Sequence, residues 1–252
     1  LMMHGGPGFD HTYFRPHFDR MGGRCRVVYY DLRSSGRSGR PPIESFTMEQ
    51  AADDSAALLD HLGIDRAVVC GHSYGGFIAQ ELALRHPDRL AGLVLVDTTP
   101  GQLGDTDDPL ADQGPPPPAE FLEAISSFPG SDDEYAALAP SMLAFYLHQL
   151  TWQDVAPLFA DTIFSVDALT RGMQVLSDWS SVDRLDQIVA PCLVLAGRYD
   201  IPTSWQQSAR IARRIPHAEL VVLEESGHFP WIEEPEPFVD VLRGWLARVQ
   251  QA

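Results

Sequence analysis

The chain has 252 residues, 44% hydrophobic and 21% charged, enough to bury one sizeable core, with no apolar run of membrane-spanning length and no disordered bias. A formal net charge of −17 argues against nucleic acid as a partner, since no basic patch offsets phosphate repulsion, so neither nucleic acid nor a membrane is expected. All 18 basic residues are arginine, and the three cysteines, Cys25, Cys70 and Cys192, are odd in number and widely spaced, which fits reduced thiols in a cytoplasmic setting.

His4-Gly5-Gly6-Pro7-Gly8 opens the chain as a loop whose glycines let the backbone come close to a bound oxygen. Val27 to Asp31 reads as a strand, followed by the loop Asp31-Leu32-Arg33-Ser34-Ser35-Gly36-Arg37-Ser38. Thr47 then caps a helix over about 48–62, with Gln50 placed for a capping box. Met48, Ala51, Ala52, Ser55, Leu59 and Leu62 share one face of that helix, and Gly63 ends it.

Ala67-Val68-Val69-Cys70 is a short apolar run, and Gly71-His72-Ser73-Tyr74-Gly75-Gly76 turns from it into a helical pattern beginning at Phe77. A serine on so sharp a strand-to-helix turn needs small neighbours, and the glycines supply them. The turn would hold the Ser73 hydroxyl clear of the sheet at a helix N-terminus, where backbone N–H groups and the helix dipole favour developing negative charge. Leu93 to Val96 is a further strand, with Asp97 just beyond it.

After Pro100 a loop rich in Gly, Asp and Pro runs to Pro118 and gives way to helical stretches, which together read as a lid. Residues 101–186 hold 15 acids against Arg171 and Arg184, so −13 of the −17 charge lies there. The acids can be a solvated face, or they can hold a cationic substrate group. Of the aromatics Phe145, Tyr146, Trp152, Phe159, Phe164 and Trp179, helical spacing makes most of them packing residues.

The apolar strand Cys192-Leu193-Val194-Leu195-Ala196 ends in Gly197-Arg198-Tyr199-Asp200, and Leu220-Val221-Val222-Leu223 leads into Glu224-Glu225-Ser226-Gly227-His228. Helices near 204–215 and 236–249 complete a strand and helix alternation typical of a mostly parallel sheet. No C-x-x-C, H-E-x-x-H, Walker or Rossmann pattern is present, so neither metal nor cofactor is expected.

Taken together, the serine turn and the order Ser73, Asp200, His228 resemble the α/β-hydrolase superfamily, within it the proline iminopeptidase-like branch. His86-Pro87-Asp88-Arg89-Leu90 and Gly227-His228-Phe229-Pro230-Trp231 match habits of the same superfamily, whereas 101–186 carries no matching motif. The resemblance implies a mostly parallel sheet flanked by helices, divided as core (1–100), helical cap (101–186) and core (187–252). Two strands and most of a third precede the glycine loop in that fold, so a preceding N-terminal portion is expected.

It further implies Ser73 as nucleophile, His228 as base and Asp200 as the orienting acid, with Asp97 the rival because some relatives place the acid after that strand. The backbone N–H groups of Gly6 and Tyr74 would form the oxyanion hole, His4 would brace the glycine loop, and Trp231 would line the substrate pocket. His72 stands where the commonest iminopeptidase form has Gly and reads as a packing residue; the remaining histidines read as surface or structural. The leading expectation is a hydrolase of small-molecule esters or lactones. A prolyl aminopeptidase and a catalytically idle binding protein are the alternatives.

Overall fold

The computed structural model describes residues 1–21, 25–101, 116–126 and 128–250. Among these, five strands, β1 (Met2–Met3), β2 (Ala67–His72), β3 (Leu90–Val96), β4 (Cys192–Gly197) and β5 (Glu219–Leu223), form one parallel sheet in the order β1-β2-β3-β4-β5. The runs are nearly all apolar because both sheet faces are covered, as a parallel sheet with helical crossovers requires. Alternate residues go to opposite faces: Val69, Leu93, Leu95 and Val194 join one core, and Cys70, Val94, Val96 and Leu195 the other.

The first core is closed by α1 (Met48–His61), α2 (Tyr74–Arg85) and α7 (Trp205–Arg214), the second by α9 (Pro235–Val249), whose Phe238, Leu242 and Trp245 face the sheet. In α1 the predicted face is the buried one, apart from Leu62, which sits at the C-cap half-buried. Thr47 caps it by accepting the Gln50 N–H at 3.1 Å, while the Gln50 side chain donates to Asp54 rather than back to the cap. Gly63 leaves the helix with φ of +64°, a conformation that favours glycine.

The strand expected over Val27 to Asp31 is reduced to a single parallel bridge between Tyr29 and Met2. Its partner β1 has only two residues, so it offers no longer ladder; the Met2 N–H donates to the Val28 carbonyl at 2.9 Å.

Between β3 and β4 lie α3 (Ala119–Ser126), α4 (Asp132–Leu143), α5 (Trp152–Phe159) and α6 (Val166–Ser177). Most of the proline-rich loop expected before them, 102–115, lies outside the described residues. Many of the acids of this segment sit at helix starts: Glu120 in the first turn of α3, Asp132, Asp133 and Glu134 in that of α4, Asp154 in that of α5 and Asp167 in that of α6. A carboxylate there satisfies unpaired N–H groups and opposes the positive end of the helix dipole. Asp154 completes a capping box with Thr151.

The sheet strands all point the same way, so the segments following β2, β3, β4 and β5 gather at one edge. Gly197, the last residue of β4, lies directly beneath the Gly227 carbonyl of the loop after β5, and a Cβ there would collide with it. Gly197→Ala is expected to cost about 1–3 kcal/mol through overpacking, read as a fall in Tm of several degrees.

Candidate active site

Four segments meet at that edge. Ser73 follows β2 and precedes α2 with φ of 52° and ψ of −118°. A non-glycine residue in such a conformation costs on the order of 1–3 kcal/mol and persists only where its surroundings hold it. The Ser73 N–H donates to the Val96 carbonyl at 3.0 Å, and its own carbonyl accepts from the Gly76 N–H at 2.8 Å and from Thr98 Oγ1 at 2.9 Å. Gly75 packs against the Met3 and His4 carbonyls so closely that no side chain fits.

His228 is buried and tied at three points. Its Nδ1 lies 3.0 Å from each carboxylate oxygen of Asp200, its backbone N–H donates to the Tyr146 carbonyl at 2.7 Å, and its carbonyl lies 3.0 Å from His72 Nε2. Burial alone would raise the Asp200 carboxyl, but the charge and hydrogen bond of His228 and two hydrogen bonds from Thr203 hold it below the usual carboxylate range. Those bonds are Thr203 N to Oδ1 at 3.0 Å and Thr203 Oγ1 to Oδ2 at 2.6 Å. An ionised Asp200 accepts a hydrogen bond from Nδ1–H, which leaves Nε2 as the basic nitrogen of the ring.

Asp97 differs in character. It is buried with φ of 45°, its Oδ1 accepts the Gly197 N–H at 2.8 Å, and its Oδ2 has no hydrogen-bond partner. Burial, then the neighbouring Asp200, push its carboxyl well above the usual range. Of the two candidate acids, Asp200 is the one bonded to the His228 ring.

His72, Asp97 and His228 bring donor atoms within 4.8 Å of one another. Both His72 nitrogens already have partners, so a cation there would have to displace one of those hydrogen bonds. His72 is more than a packing residue. The Gly5 N–H can only donate, and it meets Tyr13 Oη at 2.6 Å; the tyrosine proton is then directed to His72 Nδ1 at 2.8 Å, and His72 Nε2–H donates to the His228 carbonyl. One directed chain therefore joins the glycine loop, the serine turn and the His228 loop. Burial, then the nearby His228, keep the His72 imidazole well below its ordinary pKa, in keeping with a neutral ring.

His4 braces the glycine loop as expected: its Nε2 accepts the Leu32 N–H at 2.9 Å and its Nδ1 meets the Gly5 carbonyl at 2.8 Å. His11, by contrast, lies 2.6 Å from Asp31 and helps hold the loop after Tyr29.

Gly5, Gly6, Ser73, Tyr74, Thr203 and His228 all line one cavity of about 400 Å³. Its remaining walls are chiefly apolar side chains of α3, α4 and α6, and no Asp, Glu or Arg among the described residues lines it. Trp231 does not reach it. That ring is buried behind His72, 4.7 Å between centroids, in a cluster with Phe14, Phe18 and Phe238. Of the aromatics singled out in 101–186, Tyr146 is the one that borders the cavity beside His228, set edge-on to it with centroids 4.8 Å apart.

Sequence reasoning passed over Tyr13, Thr203 and Glu233. Glu233 accepts the N–H groups of His148, Gln149 and Leu150 on one oxygen, at 2.7, 2.7 and 3.2 Å, and that of Gly227 on the other at 2.6 Å. Only Thr203 carried a local signal, since an Asp side chain commonly accepts from a backbone or hydroxyl group a few residues onward.

Tyr13→Phe strands two buried polar groups, the Gly5 N–H and His72 Nδ1, and is expected to cost on the order of 2 kcal/mol of stability and to lower kcat with little change in KM. Nitrogen NMR of the unaltered protein should find His72 as the Nε2–H tautomer, without protonation between pH 5.5 and 8; a titration there would overturn the bonding order given above.

A family model described as the alpha/beta hydrolase fold matches residues 1–235. The protein named carbamate hydrolase RutD of Caulobacter sp. (strain K31) is 30% identical, covering 97% of this chain and 94% of its own length. Among solved structures, a thermophilic esterase from Thermogutta terrifontis superposes with a TM-score of 0.79 at 28% identity, covering 99% of this chain and 89% of that one. Est816, described as an N-acyl homoserine lactone degrading enzyme, gives a TM-score of 0.72 at 29% identity, covering 96% and 91%. With most of its length matched on all three counts, the chain is a hydrolase belonging to the α/β-hydrolase fold family.

Proposed function

We propose that this protein is a serine hydrolase that cleaves small-molecule carboxylic esters or lactones through an acyl-enzyme. The observation that carries the reading is an Asp200–His228 pair, bonded at 3.0 Å through both carboxylate oxygens, beside a serine on a left-handed turn in a cavity that no charged side chain among the described residues lines. His228 Nε2 takes the Ser73 proton as the hydroxyl attacks the carbonyl carbon, and Asp200 stabilises the imidazolium. The Gly6 and Tyr74 N–H groups receive the oxyanion, each donor of this kind being worth about 3 kcal/mol in the transition state. The same histidine then protonates the leaving group, and a water it activates releases the acid.

The cavity lining favours this reading over two others. A prolyl aminopeptidase must hold a free ammonium, yet no carboxylate among the described residues faces the cavity, and many acids of the segment serve as helix-start residues. The name of the RutD relatives would imply a carbamoyl target. A free carbamate is a few-atom anion, and a cavity of about 400 Å³ without a cationic wall suits neither its size nor its charge.

We further read 101–186 as a cap inserted between core segments 1–100 and 187–252. No described helix is long and apolar enough to cross a membrane. Cys25, Cys70 and Cys192 are free, the last two buried, and we read them as suited to a reducing cytoplasm.

Ser73→Ala is expected to lower ester kcat/KM by at least about a thousandfold and to abolish fluorophosphonate labelling while the Tm stays within a few degrees. A short-chain nitrophenyl ester should be turned over far faster than a proline anilide. Preference for the anilide would replace this reading with the aminopeptidase, and folded protein that is neither labelled nor turns over either substrate would favour an idle site.

A further inference from the structure

We propose that the substrate is a neutral ester or lactone carrying an apolar chain of roughly six to ten carbons, which runs from Ser73 to a greasy lip between α3 and α6. The inference rests on the serine-hydrolase reading and concerns what that site selects. Ile125, Phe128 and Met173 are 39%, 55% and 42% exposed, and all three also line the cavity. Large apolar side chains facing water need no explanation singly, but three around one opening mark where an apolar ligand passes.

Further in, the wall is Phe121 and Tyr135, each 3% exposed, followed by Gly6, Tyr74 and Ser73 at the reacting end. The path is therefore apolar from mouth to nucleophile. Ser73, His228 and Thr203 offer hydrogen-bonding groups beside the scissile group, with Thr99 and Ser177 elsewhere on the wall, while the hydroxyls of Tyr13, Tyr74 and Tyr135 are already bonded to His72 and to the Gly172 and Pro7 carbonyls.

Size sets the chain length. One water occupies about 30 Å³ of liquid, and a methylene is of similar bulk, so about 400 Å³ holds roughly a dozen non-hydrogen atoms. Three of these belong to the ester group itself, which leaves room for up to about ten carbons. Met142 and Met173 in the wall are flexible and polarizable, suited to a chain with no fixed shape. A charged group on the chain would meet no countercharge from the described residues and would lose its hydration without compensation.

The test is kcat/KM over two series, nitrophenyl alkanoates from acetate to dodecanoate and n-alkyl acetates from ethyl to decyl, so that the chain can lie on either side of the scissile bond. In one series the value should climb by up to about fourfold per methylene, the equivalent of about 0.8 kcal/mol for each buried CH₂. It should level between six and ten carbons as the chain clears the lip. Chains of equal length ending in a carboxylate or an ammonium should fall at least about tenfold below the neutral ester.

Met173→Glu should lower the ratio of long-chain to acetate or ethyl kcat/KM by about tenfold, and Met173→Leu should preserve it. Because the readout is a ratio within one preparation, partial unfolding does not imitate the result. Flat profiles in both series, an optimum at the shortest chain, or an unchanged ratio in Met173→Glu would overturn the chain proposal and leave the serine-hydrolase reading standing. Failure of folded protein to turn over any ester would remove both.

Discussion

The geometry of the site depends on one close approach, the N-terminus of α2 lying directly on the carbonyls of Met3 and His4 at Gly75. That contact pins the turn carrying Ser73 against the glycine loop, so the relative placement of the serine turn and the glycine loop is set by backbone packing rather than by side-chain rotamers. The strain in Ser73 is balanced by hydrogen bonds on both sides of its peptide, to Val96, Gly76 and Thr98. A backbone so constrained moves little when a ligand arrives, and preorganised donors are most effective under that condition.

Around this fixed point the histidine is held by elements that are remote in sequence. Asp200 from the end of β4 orients the ring, Tyr146 receives its backbone N–H, and the Tyr13–His72 chain fixes its carbonyl. Two neighbouring carboxyl groups, Asp97 and Asp200, are pushed in opposite directions by their surroundings. The one with Thr203 and His228 as donors is held below the usual carboxylate range, whereas burial and the neighbouring Asp200 raise the one with a single backbone donor.

The sheet, its helices and the order of the candidate catalytic groups were legible because each rests on a local pattern: apolar runs, capping residues, and glycines flanking a serine. The cap aromatics were largely legible for the same reason, since helical spacing separates packing residues from exposed ones. What escaped was non-local. Trp231 follows His228 by three positions, yet the short helix α8 (Pro230–Glu233) turns its ring behind His72 and leaves Tyr146, eighty residues distant, at the cavity. His72 looked inert because its partners, Tyr13 and the His228 carbonyl, are contributed by opposite ends of the chain. The acidity of 101–186 was visible as charge, but its use at helix starts emerges only once the helix boundaries are known.

Glu233 gives the assembly a property that a division into core and cap would conceal. A single carboxylate grips three consecutive N–H groups at His148, Gln149 and Leu150 with one oxygen and Gly227, next to His228, with the other. The segment at 148–150 and the loop that carries His228 thus share an anchor, and the two cannot be exchanged as independent modules. A cap grafted from a relative to widen the substrate range would carry over its apolar walls but arrive without a matching register at 148–150, loosening the histidine it was meant to serve. Diversification of this scaffold is therefore easiest along α3 and α6, which border the cavity and supply none of the N–H groups that Glu233 holds.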